Sequence, residues 1–163
     1  MDLLSKLMEE LSVPVVIGGS ALGVAAIMLG LARVGGWHAL AQRYPVRQPF
    51  LGDTFSFQSV QLAGWVGYNN CVTAGADPYR LYLSLWPFLA IFGHPPLAIP
   101  WTDVIASREK KSWLASVVLL KFLEAPAIRL RMSSSLAARL AVQSRGGFTV
   151  LGDPPAAERG ALG

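Results

Sequence analysis

Apolar and polar positions change period twice along this chain. Leu11 to Ala32 is a run of 22 residues without a charge. As a helix it would be about 33 Å long, close to the roughly 30 Å of a bilayer's hydrocarbon core. Pro14 falls in the first turn, where its missing N–H costs little, and Ser12 can cap the start. Ahead of this run, within residues 1–10, Leu3, Leu4, Leu7 and Met8 lead into Leu11 at helical spacing, with Asp2, Lys6, Glu9 and Glu10 between them. Beyond it, Gly35-Gly36 allows a bend. Trp37, Leu40, Ala41 and Tyr44 then predict a short amphipathic helix that Pro45 stops, inside a junction covering residues 33–52.

From residue 53 the period becomes two. Phe55 and Phe57 alternate with Ser56 and Gln58, and Val66, Tyr68, Asn70 and Val72 with Gly67, Asn69 and Cys71. Ala76-Asp77-Pro78 is a turn signal. Leu81, Leu83 and Leu85 alternate again, Leu97, Ile99 and Trp101 follow, and Trp113–Phe122 is a continuous apolar run suited to a strand buried on both faces. Ile128, Leu130 and Met132 alternate with Arg129 and Arg131. Six or seven short strands separated by turns predict an antiparallel sandwich or barrel. The helical period returns at Leu136, Ala137, Leu140 and Ala141, after Ser133-Ser134-Ser135 as cap and before Gly146-Gly147 as stop. The expected fold is α+β: one N-terminal transmembrane helix (11–32), a small antiparallel β-barrel or sandwich with a C-terminal helix (53–147), and an extended Pro/Gly/Ala-rich tail (148–163).

Composition strengthens the membrane expectation. Of 163 residues 53% are hydrophobic and 15% charged, against about 25% charged in an average soluble domain, and mean hydropathy is +0.44. A cleaved signal peptide is the competing explanation of the first apolar run. It calls for a basic start and a shorter apolar stretch, whereas residues 1–10 carry three acids and one lysine. Arg33, Arg43 and Arg47 follow the run with no acid before Asp53. Basic flanks stay inside, so the expected topology is single-pass in the inner (cytoplasmic) membrane, N-terminus outside and residues 33–163 cytoplasmic. That portion holds 13 basic and 7 acidic residues. Cys71 is the only cysteine, which excludes an internal disulfide and suits a reducing compartment.

A resemblance follows from the second half. RLYLSLWPF, then PPLAIPWTDV, a basic turn REKK, two further strands and a closing helix resemble the pleckstrin-homology and GRAM superfamily over residues 54–146. Leu81-Tyr82-Leu83 and Ile99-Pro100-Trp101-Thr102-Asp103-Val104 carry most of the likeness. It implies a small barrel that recognises lipid or protein without catalysis. Trp86–Gly93 (WPFLAIFG) departs from it, because such domains usually place a polar turn there.

Four groups of residues are candidates for function. Gly19, Gly23, Ala26 and Gly30 share one helix face and would let a neighbouring transmembrane helix approach closely. Trp37 stands where an interfacial aromatic belt would be, with His38 as its solvated neighbour. Trp86, Phe88 and Phe92 are either ordinary core or an exposed tip touching a partner or the membrane. Arg108, Lys110 and Lys111, with Lys121, Arg129 and Arg131, are either an anionic-headgroup patch or a solvated basic face. His94 reads as a turn residue. No nucleophile, base and acid are placed together by any motif, so neither catalysis, a metal nor a cofactor is expected. Nucleic acid is not an expected partner, since few aromatics are interleaved with the basic residues. The expected partners are other integral membrane subunits and the phospholipid bilayer. The function expected is that of a non-catalytic accessory subunit of a larger membrane complex. A photosynthetic reaction centre with its antenna, or another bioenergetic assembly, is the kind of host envisaged. The alternative is a stand-alone lipid- or ligand-sensing module.

Overall fold

The computed structural model describes residues 19–20, 22–110 and 116–151, except for the side chain of Lys110. The stripe over residues 1–10, the first part of the apolar run, Lys111, Trp113 and the tail beyond Leu151 lie outside the described residues.

Two helices come first. Helix α1 (Leu22–Val34) meets α2 (Trp37–Arg43) at an angle of 62°. The elbow is Gly35-Gly36. Gly36 has φ 84°, a left-handed conformation that costs glycine little, and a Cβ there would stand 3.1 Å from Ile128 Cδ1. Strands β1 (Thr54–Leu62) and β2 (Val66–Ala76) are joined by a tight turn in which Ala63 and Gly64 both take positive φ, the geometry that matches the twist of a hairpin. The turn to β3 (Arg80–Leu85) is built by Asp77. Its carboxylate accepts from the backbone N–H of Tyr79 and Arg80, each at 2.8 Å, and from Arg80 Nε at 2.9 Å. Helix α3 (Pro87–Ile91), with Pro87 in the first turn where its ring is tolerated, leads to β4 (Leu97–Pro100). A 3₁₀ turn, Trp101–Asp103, opens β5 (Val104–Lys110). Then come β6 (Ser116–Phe122), β7 (Arg129–Ser133), α4 (Ser134–Gln143) and β8 (Val150–Leu151).

The eight strands form one sheet in the order β4-β3-β2-β1-β7-β6-β5-β8. All neighbours are antiparallel except β5 and β8. Strands β4 and β5 are consecutive in the chain and separated by three residues, yet they stand six places apart in the sheet. So short a link forces the sheet to curl until its ends approach, giving a half-barrel. A large bulge helps the bend: β1 and β2 lose register between Gln58 and Val60, where Asn70 takes φ 53°. The α+β class with a strongly curled sheet is therefore the architecture.

The inner face is filled by the alternating residues Leu62, Val72, Ala74, Leu81, Leu83, Leu97, Ile99, Leu120, Leu130 and Met132, each at most 3% exposed. Two amphipathic helices complete this core. At one end α2 buries Trp37, Leu40 and Ala41. Elsewhere α4 packs on β2, β6 and β7 through Leu136, Ala137 and Leu140. Ser133 caps α4, its Oγ accepting from Leu136 N at 3.2 Å. At the sheet's edge beyond β4, Ala98 N donates to Tyr44 O at 3.0 Å.

Two expectations need correction. The basic turn REKK is not a turn: Arg108, Glu109 and Lys110 continue β5, opposite Val118, Val117 and Ser116. Their charge suggested a loop, but a strand near the sheet's edge tolerates charge. The apolar face of the helix over Trp37–Tyr44, Trp37 included, belongs to the protein core and is not exposed; periodicity cannot tell a lipid partner from a protein one. Among the described residues no single helix is long and apolar enough to cross a membrane, and α1 and α2 meet that test only as a bent pair; residues 11–18 and Ala21 of the expected span lie outside them.

Gly36→Ala should destabilise the domain by about 1–2 kcal/mol, since it adds a left-handed alanine and a methyl against Ile128. Urea denaturation monitored by the buried tryptophans measures this; an unchanged midpoint would show that the elbow relaxes freely.

Candidate functional site

Three loops converge on the end of the half-barrel where α1 leaves. Gly93, after α3, lies against α1: a Cβ there would be 3.3 Å from Leu29 Cδ2 and 3.4 Å from Ala32 Cβ. Gly35 abuts Val66, the residue that follows the β1–β2 turn. Gly36 abuts Ile128 in the β6–β7 turn. The β1–β2 and β6–β7 turns are themselves tied by Ala63 N donating to Arg129 O at 3.0 Å.

Below these loops lies a buried aromatic joint. Trp37 is fully buried and its indole Nε1 donates to Pro95 O at 2.8 Å. Its ring packs on Tyr68 at 5.2 Å and His94 at 5.9 Å between centroids. His94, 1% exposed, places Nδ1 3.2 Å from Phe92 O and Nε2 3.1 Å from Tyr68 Oη. A carbonyl can only accept, so Nδ1 carries the proton and Nε2 accepts from the tyrosine hydroxyl. Burial pushes the Tyr68 hydroxyl up to about 12 and the His94 imidazole down from its ordinary 6.5. Both stay neutral at neutral pH. This is a structural latch between β2, α2 and the α3–β4 loop.

Above the joint the loop tips are apolar. Trp86, Phe88 and Ile91 are 44%, 50% and 81% exposed, while Leu89, on the other side of α3, is buried. Trp86 and Phe88 pack ring to ring at 5.8 Å. Trp65 in the β1–β2 turn and Leu123 in the β6–β7 turn are more than half exposed. On α1, Leu22, Val24 and Ile27 are exposed, and open space surrounds Gly19, Gly23 and Gly30. Single exposed apolar residues are ordinary, whereas a group at one end marks a contact surface.

The sequence candidates distribute as follows. Gly19, Gly23 and Ala26 are exposed on the free part of the first helix, and Gly30 is half-buried near the domain. Trp86 and Phe88 are exposed and Phe92 is half-buried. Trp37 is not at the surface: it is the centre of the buried joint. His94 is more than a turn residue, since it anchors that joint. Among the described residues, Arg108, Lys121, Arg129 and Arg131 do not form one patch. Strand register puts Arg108 opposite Val118 and Met132, facing the core side of the sheet near its rim. Lys121, Arg129 and Arg131 belong to the opposite face. Arg131 is already engaged there: Nε donates to Glu109 Oε2 at 2.8 Å and Nη2 to Oε1 at 3.4 Å. This bond holds the Glu109 carboxyl below its ordinary range. Lys111 and the Lys110 side chain lie outside the described residues.

Sequence patterning missed Trp65 and Leu123. Each falls in a turn between strands, and only the strand order brings them to the end where α3 lies. Among the described residues no three of His, Cys, Asp and Glu come together as metal ligands. Comparison with protein-family models, curated proteins and solved structures finds no match to this chain.

The latch makes stability depend on pH. An unfolded histidine binds a proton near 6.5 and the buried one resists it, so protons favour unfolding. The stability contributed by neutral His94 is present above pH 6.5. It is lost as pH falls toward the depressed folded value, with a slope of up to about 1.4 kcal/mol per pH unit for one proton. Denaturant unfolding between pH 7 and pH 5 should show this slope in the wild type and a flatter one in His94→Gln. Equal slopes would remove His94 as the cause.

Proposed function

We propose that this protein is a membrane-anchored, non-catalytic accessory subunit, in which α1 belongs to a single spanning helix and the curled sheet is a bracing module at the cytoplasmic surface. The observation that carries the proposal is the free part of α1. Among the described residues nothing covers its apolar Leu22, Val24 and Ile27, and Gly23 and Ala26, with Gly19 before them, are exposed. A helix so apolar is stable only against lipid or another protein, and small residues at this spacing favour a second helix over lipid tails.

The domain also sets where the bilayer begins. Ala32 is 1% exposed and Met28 packs on the core, so the last turn of the uncharged run belongs to the globular part. As a helix, the uncharged stretch from Leu11 to Leu29 would be roughly 28 Å long, still close to the hydrocarbon thickness. Arg33 then falls beyond the boundary, where its guanidinium reaches Leu29 O at 3.5 Å, and a basic residue at that place favours a cytoplasmic domain. A meander of antiparallel strands with a helix after the seventh supports the pleckstrin-homology likeness. The stand-alone lipid-sensing alternative rests on the cluster Arg108–Lys111, of which Lys111 and the Lys110 side chain lie outside the described residues; of its further basic residues, Arg131 is bound to Glu109.

Gentle detergent extracts of the native membrane should carry the protein in a species several times its own mass on a sizing column. Gly23→Ile, which fills the small-residue face, should reduce the co-migrating fraction at least threefold while leaving the domain's thermal unfolding unchanged. Migration of the wild type as a lone 17.5 kDa chain in its detergent belt would reject the proposal.

A further inference from the structure

The loop tips around α1 have no role in a helix-only anchor, and their placement is what calls for one. We infer that Trp86, Phe88 and Ile91 on α3, with Trp65 on the β1–β2 turn and Leu123 on the β6–β7 turn, form a collar that inserts into the interface of the leaflet that α1 enters. This gives the domain a second attachment and one fixed orientation. The inference rests on α1 spanning the membrane, as proposed above.

Four observations point to lipid as the occupant. The first is continuity. The collar's loops touch α1 at Leu29 and Ala32 and at the Gly35-Gly36 elbow, the level at which the exposed apolar part of that helix meets the domain. Whatever solvent covers Leu22, Val24 and Ile27 ends where the tips begin. The second is composition: two tryptophans and a phenylalanine with aliphatic neighbours are the residue types that favour the headgroup boundary. The third is the build of α3. It buries Leu89 and exposes Phe88 and Ile91, and Trp37 with His94 locks the loop behind it. An apolar tip held rigidly pays little ordering entropy on insertion. The fourth is charge. Arg33 ends α1, and Arg129 and Lys121 face each other across β7 and β6 beside the same turns. Glu124, at the same rim, is paired with Arg43 at 3.6 Å. Basic residues at that height match an anionic cytoplasmic leaflet.

The opposite end of the half-barrel is different in kind. There Asp53, Asp77, Arg80 and Arg145 accompany the exposed residues Leu51, Tyr79 and Val142, and Gln143 Nε2 donates to Asp53 O at 3.0 Å. The tryptophan and phenylalanine tips thus gather at the end from which the apolar helix leaves, and the opposite end carries the carboxylates of Asp53 and Asp77 beside its exposed aliphatic residues.

The test uses the full chain in vesicles of three parts phosphatidylcholine to one part phosphatidylglycerol, with Cys71→Ser and single cysteines carrying an environment-sensitive fluorophore at Val24, Trp65, Phe88 or Val142. Quenching by spin-labelled lipid reads depth. The expected result is strong quenching at Val24, and quenching at Phe88 and Trp65 at least threefold that at Val142. Ile91→Glu, a change at an exposed position, should cut the Phe88 quenching by half or more without altering thermal unfolding. Quenching at Val24 with Phe88 and Trp65 as dark to lipid as Val142 overturns the collar and leaves the spanning helix intact; it would mean that the tips meet protein. Absence of quenching at Val24 overturns the spanning helix and the collar together.

Discussion

The indole of Trp37 holds the two halves of this molecule together. It is fully buried and hydrogen-bonded to Pro95 O. Its ring lies against Tyr68 of β2 and His94 of the α3–β4 loop. Three segments far apart in the chain meet on that one side chain. Because α2 is fixed there and the elbow at Gly36 sets the 62° bend, the direction in which α1 leaves is determined by the core. A flexible linker would let the sheet tumble relative to α1. Here the helix is an extension of the globular part, and any force on the helix is felt at the latch.

The curled sheet supplies the other constraint. A three-residue link between β4 and β5 leaves no alternative to bringing the two ends of the sheet near each other. A half-barrel of this kind has open ends, and its interior would be wet without plugs. The amphipathic helices α2 and α4 serve as those plugs, which explains why both carry a narrow apolar face rather than being apolar all round. Stacking of Trp101 on Phe148 at 4.8 Å closes the chain's return toward β8.

Much of the sheet was legible from alternation. β2, β3, β4, β7 and α4 lie where the period of apolar residues places them, because each has one face against the core and the other in solvent. What escaped did so for physical reasons. β5 carries charge on a rim, so its sequence looks like a loop. Val150–Leu151 is too short to show a period. Trp37 has the same helical spacing whether its face meets lipid or protein. The collar was half legible: WPFLAIFG stood out as an apolar segment, but whether it was core or tip depends on which side of α3 the sheet covers. Trp65 and Leu123 carry no local signal, since their proximity to α1 is a product of strand order.

Strand order also explains why the apolar tips gather at one end of the barrel and the Asp77 turn stands at the other. In a meander, alternate turns collect at the same end. The turns after β1, β3 and β6 fall at the end where α1 leaves, and the Asp77 turn after β2 falls at the other. A substitution that made one turn apolar would leave a scattered residue of little consequence. Apolar tips on all three turns of one end, with an acidic Asx turn at the other, give the domain a polarity along its axis. That axis is tied to α1 by Trp37, so the direction of the helix and the end with the three apolar tips are set by one buried joint. In the anchoring proposed above, a bilayer that accepts the helix meets the tips without further adjustment of the fold, and orientation follows from core packing with the basic residues of that rim in support.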